Sequence, residues 1–560
     1  MAQKTEASHL VALQVLETIL DDFNIPRPTP DRGPKVLFTD TVPPPEETKS
    51  QKINLSLIGA IPSLANAVAA AQILEARGGP TQEVDVNLRR GHNYIDPDIG
   101  MTPSLNGQEI SLDMVAGNPF TRNIFKTRDN KWVVLSAVYV ELVYQWTSLL
   151  DCSMAESSVR EAVLKWNAAD LEAVATKANM PMAICQTEED WKTHAHGSHM
   201  ATLPIVPIQQ YKSSNPSTQS PCFPSSVPDR PLSGLKVLAL THAIAGPSTG
   251  RTLAEHGASV LQVLFTHGFE HAFVYTYANL GTASTRLNLH KKSDRQRLRT
   301  LISEAHVWID SYREGAIAKF GFSDQQIREI NPGMIITHVR CYGTSGPWAR
   351  KPGFDMQGSA SSGLMSYMGR GVGDGRPLWP PGMVINDYTT GYFGALAIMG
   401  IILRRCKGES DWNQGWVVSP SLCGTAMSIL KYFKSNSSSL VEGGESNGQS
   451  ALGPETLEAE TSLGYLKTLA PLPKMSVTPL QYQHELLVAM GSSRPVFPGH
   501  DDGYNVKELT PMTREDVIHS FGINIVRRIE KLRILGSQER QQRDKKYLSV
   551  LADDVSELRF

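Results

Sequence analysis

Short apolar segments alternate with helix-length segments between residues 234 and 339, and this alternation constrains the fold more than any other feature. Buried strands are predicted at residues 234–240 (GLKVLAL), 258–263, 306–310 and 334–339, with helices at 249–256 and 323–330. Strands separated by helices indicate an α/β fold with a mostly parallel, doubly wound sheet covered on both faces. Ligands of such sheets bind beyond the carboxyl ends of the strands, so we expect a functional site at that edge.

The chain is long enough for several compact units, because single cores stop growing well below 560 residues. Proline, serine and glycine concentrate in three segments, which we interpret as linkers. The expected organisation is an N-terminal segment with linker (1–50), a first half (51–210), a linker (211–230), a large domain (231–433), a linker (434–460) and a C-terminal segment (461–560).

Charge and cysteine usage narrow the partners and the compartment. A formal charge of −2 gives no general attraction for nucleic acid or for an anionic lipid surface, so neither partner is expected. The six cysteines are scattered without a C-x-x-C pair, which favours a reducing, intracellular and cytoplasmic location. Mitochondrial and peroxisomal locations stay open. Residues 55–74 are uncharged and of membrane-spanning length, but Pro62, Asn66 and Gln72 favour a buried helix.

An internal repeat relates the two halves of the chain. Residues 73–79 (ILEARGG) match residues 402–408 (ILRRCKG), and residues 82–87 match 414–419 after a short insertion. Extending the match backwards places Ile58 opposite Asp387. The first copy therefore lacks a carboxylate that the second copy has.

Four ordered motifs carry a resemblance to a known family. They are residues 231–238 leading to Ala245-Gly246-Pro247, residues 312–315 with 331–332 and 342–348, residues 353–356 with 362–365, and residues 386–391 leading into an apolar helix that ends at Arg405. Together they resemble the family III CoA-transferases, the CaiB/BaiF family, which includes formyl-CoA transferase, carnitine CoA-transferase and α-methylacyl-CoA racemase.

The resemblance implies a large α/β domain of the family III type and a smaller α+β domain from the first half. Residues 51–210 resemble a degenerate, partial family unit, so the chain is expected to be a tandem of one partial and one fuller copy. Two chains interlock in this family, and a tandem chain is therefore expected to be a pseudo-dimeric monomer or a homodimer. The implied partners are an acyl-CoA and a carboxylic acid. Coenzyme A (CoA) enters as the thioester substrate, and no tightly bound cofactor is implied.

Asp387 is the catalytic candidate, because the resemblance places the family's nucleophile there. A carboxylate with an ordinary pKa of about 3.9 is ionised at neutral pH and can attack a thioester carbonyl. The resulting aspartyl mixed anhydride stays activated, so CoA can pass to a second acid without ATP. The alternative is that Asp387 only caps a helix or is a relic, since Asp at a helix start accepts backbone N–H bonds.

CoA binding is predicted at two places in the second half. The Ala245-Gly246-Pro247 turn at a helix start suits the anionic or adenine part of a nucleotide. Tyr312 and Arg313 follow a strand, and the guanidinium could hold a phosphate. A tight turn and a solvated arginine are the alternatives. Residues 282–284 (TAS) and 311–313 (SYR) depart from the family's usual KRS and NFR, so two expected cations are missing.

The same sequence also bears on two alternative functions and on a metal site. The missing cations and the degenerate first copy leave open a catalytically silent CoA-binding or scaffold protein. An acyl-CoA racemase is disfavoured, because Phe354 stands where that branch has a histidine before Asp355. His194, His196 and His199 form H-x-H-x-x-H without accompanying cysteines, a pattern that usually faces solvent, and no metal site is predicted.

Overall fold

The structure is a computed structural model that describes residues 2–29, 31–44, 52–110, 117–121, 123–211, 220–223, 227–265, 270–435, 451–482, 484–499 and 523–557. The helices are α1 (Ala2–Asp22), α2 (Leu55–Ala76), α3 (Pro97–Gly100), α4 (Val140–Leu150), α5 (Glu156–Leu164), α6 (Ala168–Lys177), α7 (Glu188–Thr193), α8 (Ala195–Ala201), α9 (Ala245–Glu255), α10 (Ala272–Ala278), α11 (Lys292–Glu304), α12 (Asp324–Ile330), α13 (Asp355–Ser361), α14 (Leu364–Gly369), α15 (Ile385–Cys406), α16 (Leu422–Tyr432) and α17 (Ile523–Glu557).

 The strands are β1 (Lys35–Phe38), β2 (Glu83–Val86), β3 (Ser104–Leu105), β4 (Gln108–Glu109), β5 (Phe125–Lys126), β6 (Trp132–Leu135), β7 (Met182–Ile184), β8 (Ile208–Tyr211), β9 (Lys236–Leu240), β10 (Ser259–Phe265), β11 (Ala283–Leu287), β12 (Val307–Asp310), β13 (Ile335–His338), β14 (Gly415–Val418), β15 (Thr456–Thr461), β16 (Gly464–Leu469) and β17 (Lys474–Met475).

The largest sheet has seven strands in the order β11-β10-β9-β12-β13-β14-β8. All neighbouring pairs are parallel except β14 and the edge strand β8. Strands β9, β12 and β13 are almost entirely buried, as expected for parallel strands covered on both faces. The predicted α/β class with a mostly parallel sheet is therefore confirmed.

Helices α2 and α15 pack against each other in the main core, and α9 also packs against α15. Helix α2 contains Pro62 and is apolar on nearly all sides, which is typical of a helix surrounded by protein. Within the described residues it is the one helix long and apolar enough to cross a membrane, and its most apolar stretch is completely buried. Asn66 of α2 donates to the carbonyl oxygens of Pro62 and Tyr392, which satisfies its amide N–H groups inside the core.

A smaller α+β unit comes from the first half. Strands β5, β6 and β7 form an antiparallel sheet, and α4, α5 and α6 cover it with a separate apolar core that includes Trp146 and Trp166. Helix α17 contributes Leu532 to this core and packs along α4. The C-terminal segment is therefore in contact with the small unit.

Two of the predicted linkers extend into strands. Tyr211, placed in a linker by composition, is the last residue of β8 and pairs with Gly415 of the large sheet. Residues 456–460, placed in the linker 434–460, belong to β15, which pairs with β16. Alternating exposure along β15 explains the error, because an edge hairpin can be polar on one face and still pair through its backbone. The other proposed domain boundaries stay predictions.

The two helices of the proposed repeat have equal lengths. Both α2 and α15 have 22 residues, and each is followed by a four-residue strand, β2 or β14. The strands lie in different sheets, since β2 pairs with β1 and β17, whereas β14 pairs with β13 and β8. The tandem arrangement stays a prediction.

Candidate active site

A cavity of about 520 Å³ lies where the chain leaves the carboxyl ends of β9, β12 and β13. Its wall combines loops of the large sheet with the start of α4 from the small unit. Its lining residues include Tyr139, Leu142, Gln145, His242, Ala245, Gly246, Tyr312, Arg313, Arg340, Lys351, Phe354 and Asp387. A site at this edge agrees with the position that parallel sheets of this class favour.

Asp387 lies in the first turn of α15 and is 8% exposed. It is not the N-cap residue, because Val384 holds that position. Asp355 accepts hydrogen bonds at Oδ2 from the backbone N–H groups of Asn386 (2.6 Å) and Asp387 (3.0 Å). The backbone N–H of Ala245, at the start of α9, lies near the Asp387 carboxylate and lowers its pKa. The helix start is thus held by another acid, and the Asp387 side chain is directed to the cavity wall.

Burial changes the charge state expected for Asp387. Desolvation raises the pKa of Asp387 well above its ordinary value, and the nearby charges of Asp355 and Asp96 raise it further. Burial also raises the pKa of Asp355, although hydrogen bonds from Asn386 and Asp387 oppose the rise. The sequence suggested a carboxylate with an ordinary pKa, and this expectation is wrong because the two acids share one buried site.

The predicted turn Ala245-Gly246-Pro247 is the first turn of α9 rather than a loop before it. Ala245 and Gly246 line the cavity, and Pro247 is not among its lining residues. A Cβ atom on Gly246 would lie 2.7 Å from Cβ of Ser311 and 2.9 Å from Cγ2 of Thr241. Glycine at this position therefore lets the helix start approach the loop that carries Tyr312 and Arg313.

Tyr312 and Arg313 also line the cavity. Four of the five predicted CoA-binding residues therefore line the same cavity as Asp387. The Tyr312 ring packs against His242 at 4.9 Å and Phe265 at 4.5 Å between centroids. Arg313 donates to the carbonyl oxygen of Asn179 at 3.4 Å and borders a second opening of about 310 Å³. Their proposed contacts with CoA stay predictions.

Several cavity residues were not predicted. Lys351 is 8% exposed, lies 2.7 Å from Oε1 of Glu172, and its ammonium sits 3.5 Å from the centroid of the Trp348 ring. Arg340 pairs with Asp310 at 2.7 Å. These cations lie in or near the motif at residues 342–348 and the glycine motif at 353–356, but no local pattern reveals that their partners come from distant segments.

The small unit contributes Tyr139 and the first turns of α4 to the cavity wall. The hydroxyl of Tyr139 donates to Glu270, which also accepts from the backbone N–H of Ala243 at 2.6 Å. Tyr139 packs against Phe354 with ring centroids 6.0 Å apart. The first half thus contributes part of the wall, which a description of residues 231–433 alone would omit.

The three histidines do not face solvent as a group. His196 is fully buried, its Nε2 lies 3.0 Å from the carbonyl oxygen of Tyr342, and its Nδ1 accepts the backbone N–H of Trp348. His199 is within 2.8 Å of the Ser345 hydroxyl. The predicted solvent-facing loop is therefore wrong for His196, because its ring nitrogens satisfy the backbone of the 342–348 motif. Among the described residues, no group of three or more His, Cys, Asp or Glu side chains could hold a metal ion.

The fold and site together define an α/β domain with a cavity and a buried acid at the carboxyl edge of its sheet. Residues 232–456 match the family described as CoA-transferase family III, so the resemblance seen in the sequence is confirmed for this region.

The chain is also similar to individual proteins over part of their length. The chain is 31% identical over 309 residues to the acetyl-coenzyme A transferase nodX of Hypoxylon pulicicidum, covering 51% of each protein. It is 28% identical to the succinate–glutarate CoA-transferase of Agrobacterium fabrum, covering 33% of this chain and 51% of that protein. A crystal structure of a CAIB/BAIF family protein from Brucella suis is 27% identical, covers 36% of this chain and 55% of the other, and gives a TM-score of 0.33. The chain spans about half the length of the curated relatives it matches.

Proposed function

We propose that this protein is a CoA-transferase that moves CoA from an acyl-CoA donor to a carboxylic acid acceptor, with Asp387 as nucleophile. The observation that carries the proposal is the position of Asp387, in a region that matches CoA-transferase family III, on the wall of a cavity beside the first turn of α9. Relatives named as CoA transferases support transfer of CoA in general.

The proposed reaction needs only the carboxylate and the two substrates. An oxygen of Asp387 attacks the thioester carbonyl carbon, the C–S bond breaks, and CoA leaves as thiolate. The thiolate then attacks the aspartyl carbonyl of the mixed anhydride and releases the donor acid, which leaves an aspartyl-CoA thioester. The acceptor carboxylate repeats these two steps in reverse, so that CoA leaves on the acceptor and Asp387 is regenerated.

The surroundings of Asp387 favour this chemistry in two ways. The Ala245 N–H lowers the pKa of Asp387 and so favours the ionised, nucleophilic form of the carboxylate. The cavity buries the reacting groups, so interactions with developing charge are stronger there than in water. Ala245 and Gly246 with Tyr312 and Arg313 are proposed to hold the CoA part of the donor.

Trapping tests the nucleophile directly. Full-length protein incubated with acyl-CoA and hydroxylamine should form an aspartyl hydroxamate at Asp387, detected by mass spectrometry of the peptide. We expect no adduct in Asp387→Ala and normal trapping in Asp374→Ala, because Asp374 is exposed and caps only the local turn at Arg376. Equal trapping in wild type and Asp387→Ala would contradict the assignment.

A catalytically silent CoA-binding protein is the second candidate, supported by the absence of the family's lysine and arginine at residues 282–284. This candidate predicts a rise in melting temperature with CoA thioesters but neither hydroxamate nor exchange between acyl-CoA and carboxylate pairs. Exchange that depends on Asp387 would exclude it. Failure of CoA thioesters to bind would contradict both candidates.

A further inference from the structure

A carboxylate from the first half of the chain lies against the start of α15. Asp96 is 3% exposed, and its Oδ2 accepts hydrogen bonds from the backbone N–H groups of Met383 (2.7 Å) and Val384 (3.3 Å). Asp355 accepts the backbone N–H groups of Asn386 and Asp387 in the first turn of the helix. The first N–H groups of a helix have no partner within it, so the two acids satisfy the donors on both sides of Ile385.

The same segment also contacts the residue that follows the nucleophile. Asp98 is 2% exposed and accepts a hydrogen bond from the hydroxyl of Tyr388. Gly382 has φ +80°, and a Cβ atom there would lie 3.0 Å from Cβ of Asp96. The backbone at Gly382 is therefore shaped to let Asp96 approach. Asp96 contacts the segment that leads into α15, and Asp98 contacts the residue after Asp387.

We propose that Asp96 is a positioning residue for Asp387, through which the first half of the chain holds the start of the catalytic helix and places a negative charge beside the nucleophile. This inference rests on the proposed function. It gives the first half a role although Ile58 stands where the repeat predicts a second nucleophile.

The charges around Asp387 determine the direction of the expected effect. After burial, the acids Asp355, Asp96 and Glu270 raise the pKa of Asp387, and the Ala245 N–H lowers it. Tyr139 and Cys341 also face this charge, and burial raises the pKa of both, so neither adds a negative charge at neutral pH. Removing the charge of Asp96 should therefore lower the pKa of Asp387 and allow attack at lower pH.

The test measures acylation against pH in the full-length protein. Acetyl-CoA and succinyl-CoA serve as probes, and the enzyme–CoA thioester is measured by intact mass after an acid quench. In Asp96→Asn we expect the midpoint of the pH profile to fall by about one pH unit, because one neighbouring charge is lost. In Asp96→Glu the midpoint should stay, but the plateau rate should drop about tenfold, since the longer side chain displaces the helix start. Asp374→Asn is the matched control and should leave both unchanged.

The outcomes separate this inference from the proposed function. If wild type forms no thioester with either probe, the proposed function fails. If wild type forms it and Asp96→Asn keeps the wild-type midpoint, the inference is overturned while the proposed function stands. Should Asp96→Asn fail to fold, Asp96→Glu decides, and a wild-type plateau in that variant would overturn the positioning role.

Discussion

The burial of Asp387 is expected to lower the stability of the folded state when its carboxylate is charged. An acid buried beside Asp355 and Asp96 is poorly hydrated when charged, and the nearby Ala245 N–H offsets the rise in its pKa only in part. Groups with perturbed pKa values that lie in a cleft are candidates for function, because a purely structural position would be better served by a neutral side chain. The position of Asp387 fits the functional reading.

This cost predicts that Asp387→Asn is more stable than wild type at neutral pH, by about 1 kcal/mol. The folded-state pKa of Asp387 lies above its value of about 3.9 in the unfolded chain, so the folded state binds the proton more tightly. Wild-type stability from this group is therefore greatest below about pH 3.9 and is lost as pH rises towards the folded-state pKa. Urea unfolding of both proteins across this range should show a difference that grows with pH. A difference that is constant with pH would contradict the argument.

The elements of the large sheet could be predicted from the sequence, whereas their partners could not. Strands β9, β12 and β13 lie within two residues of the predicted segments, because continuous apolar runs between turn residues are typical of buried parallel strands. β3 and β4 have two residues each, which is too short for a period-two pattern. Asp96 could not be linked to α15, since its partner Met383 lies 287 residues further along the chain.

Helix α17 contacts the small unit through Tyr547, and no sequence motif predicted these contacts. The hydroxyl of Tyr547 accepts the backbone N–H of Asn167 (3.0 Å) and donates to Asp170 (2.9 Å). The Arg128 guanidinium lies 3.0 Å from the centroid of the Tyr547 ring. Helix α17 also packs along α4, and residues of α4 line the cavity. The C-terminal segment is therefore linked to the candidate active site through α4.

We therefore expect Tyr547→Phe to lower the free energy of unfolding by about 1–2 kcal/mol, because the N–H of Asn167 and the Asp170 carboxylate lose a buried partner. Ile534→Ala on the same helix is the control, since that side chain is 56% exposed and should change stability by less than about 0.5 kcal/mol. Chemical denaturation measures both. Equal stability of Tyr547→Phe and wild type would show that these two hydrogen bonds of α17 do not stabilise the small unit.

The whole molecule has one principal core that both halves build. That core contains apolar residues of α1 and α2, of the large sheet and α15, and of residues 466–487 near the C-terminal end. Helix α15 is buried along nearly its full length, and one of its sides is covered by α2. The largest core therefore combines both halves of the chain, although the small unit keeps its own core around Trp146 and Trp166.

It follows that residues 231–433 should not fold alone, although they contain the candidate nucleophile and most of the family match. Removing α2 exposes the apolar surface of α15 that α2 covers. The folded state then loses more apolar burial than a marginally stable domain can tolerate. Circular dichroism should show no cooperative thermal transition for this fragment, and co-expression with residues 1–230 should restore one. A cooperative melt of the fragment by itself, with trapping at Asp387, would show that the first half is dispensable for both folding and the proposed chemistry.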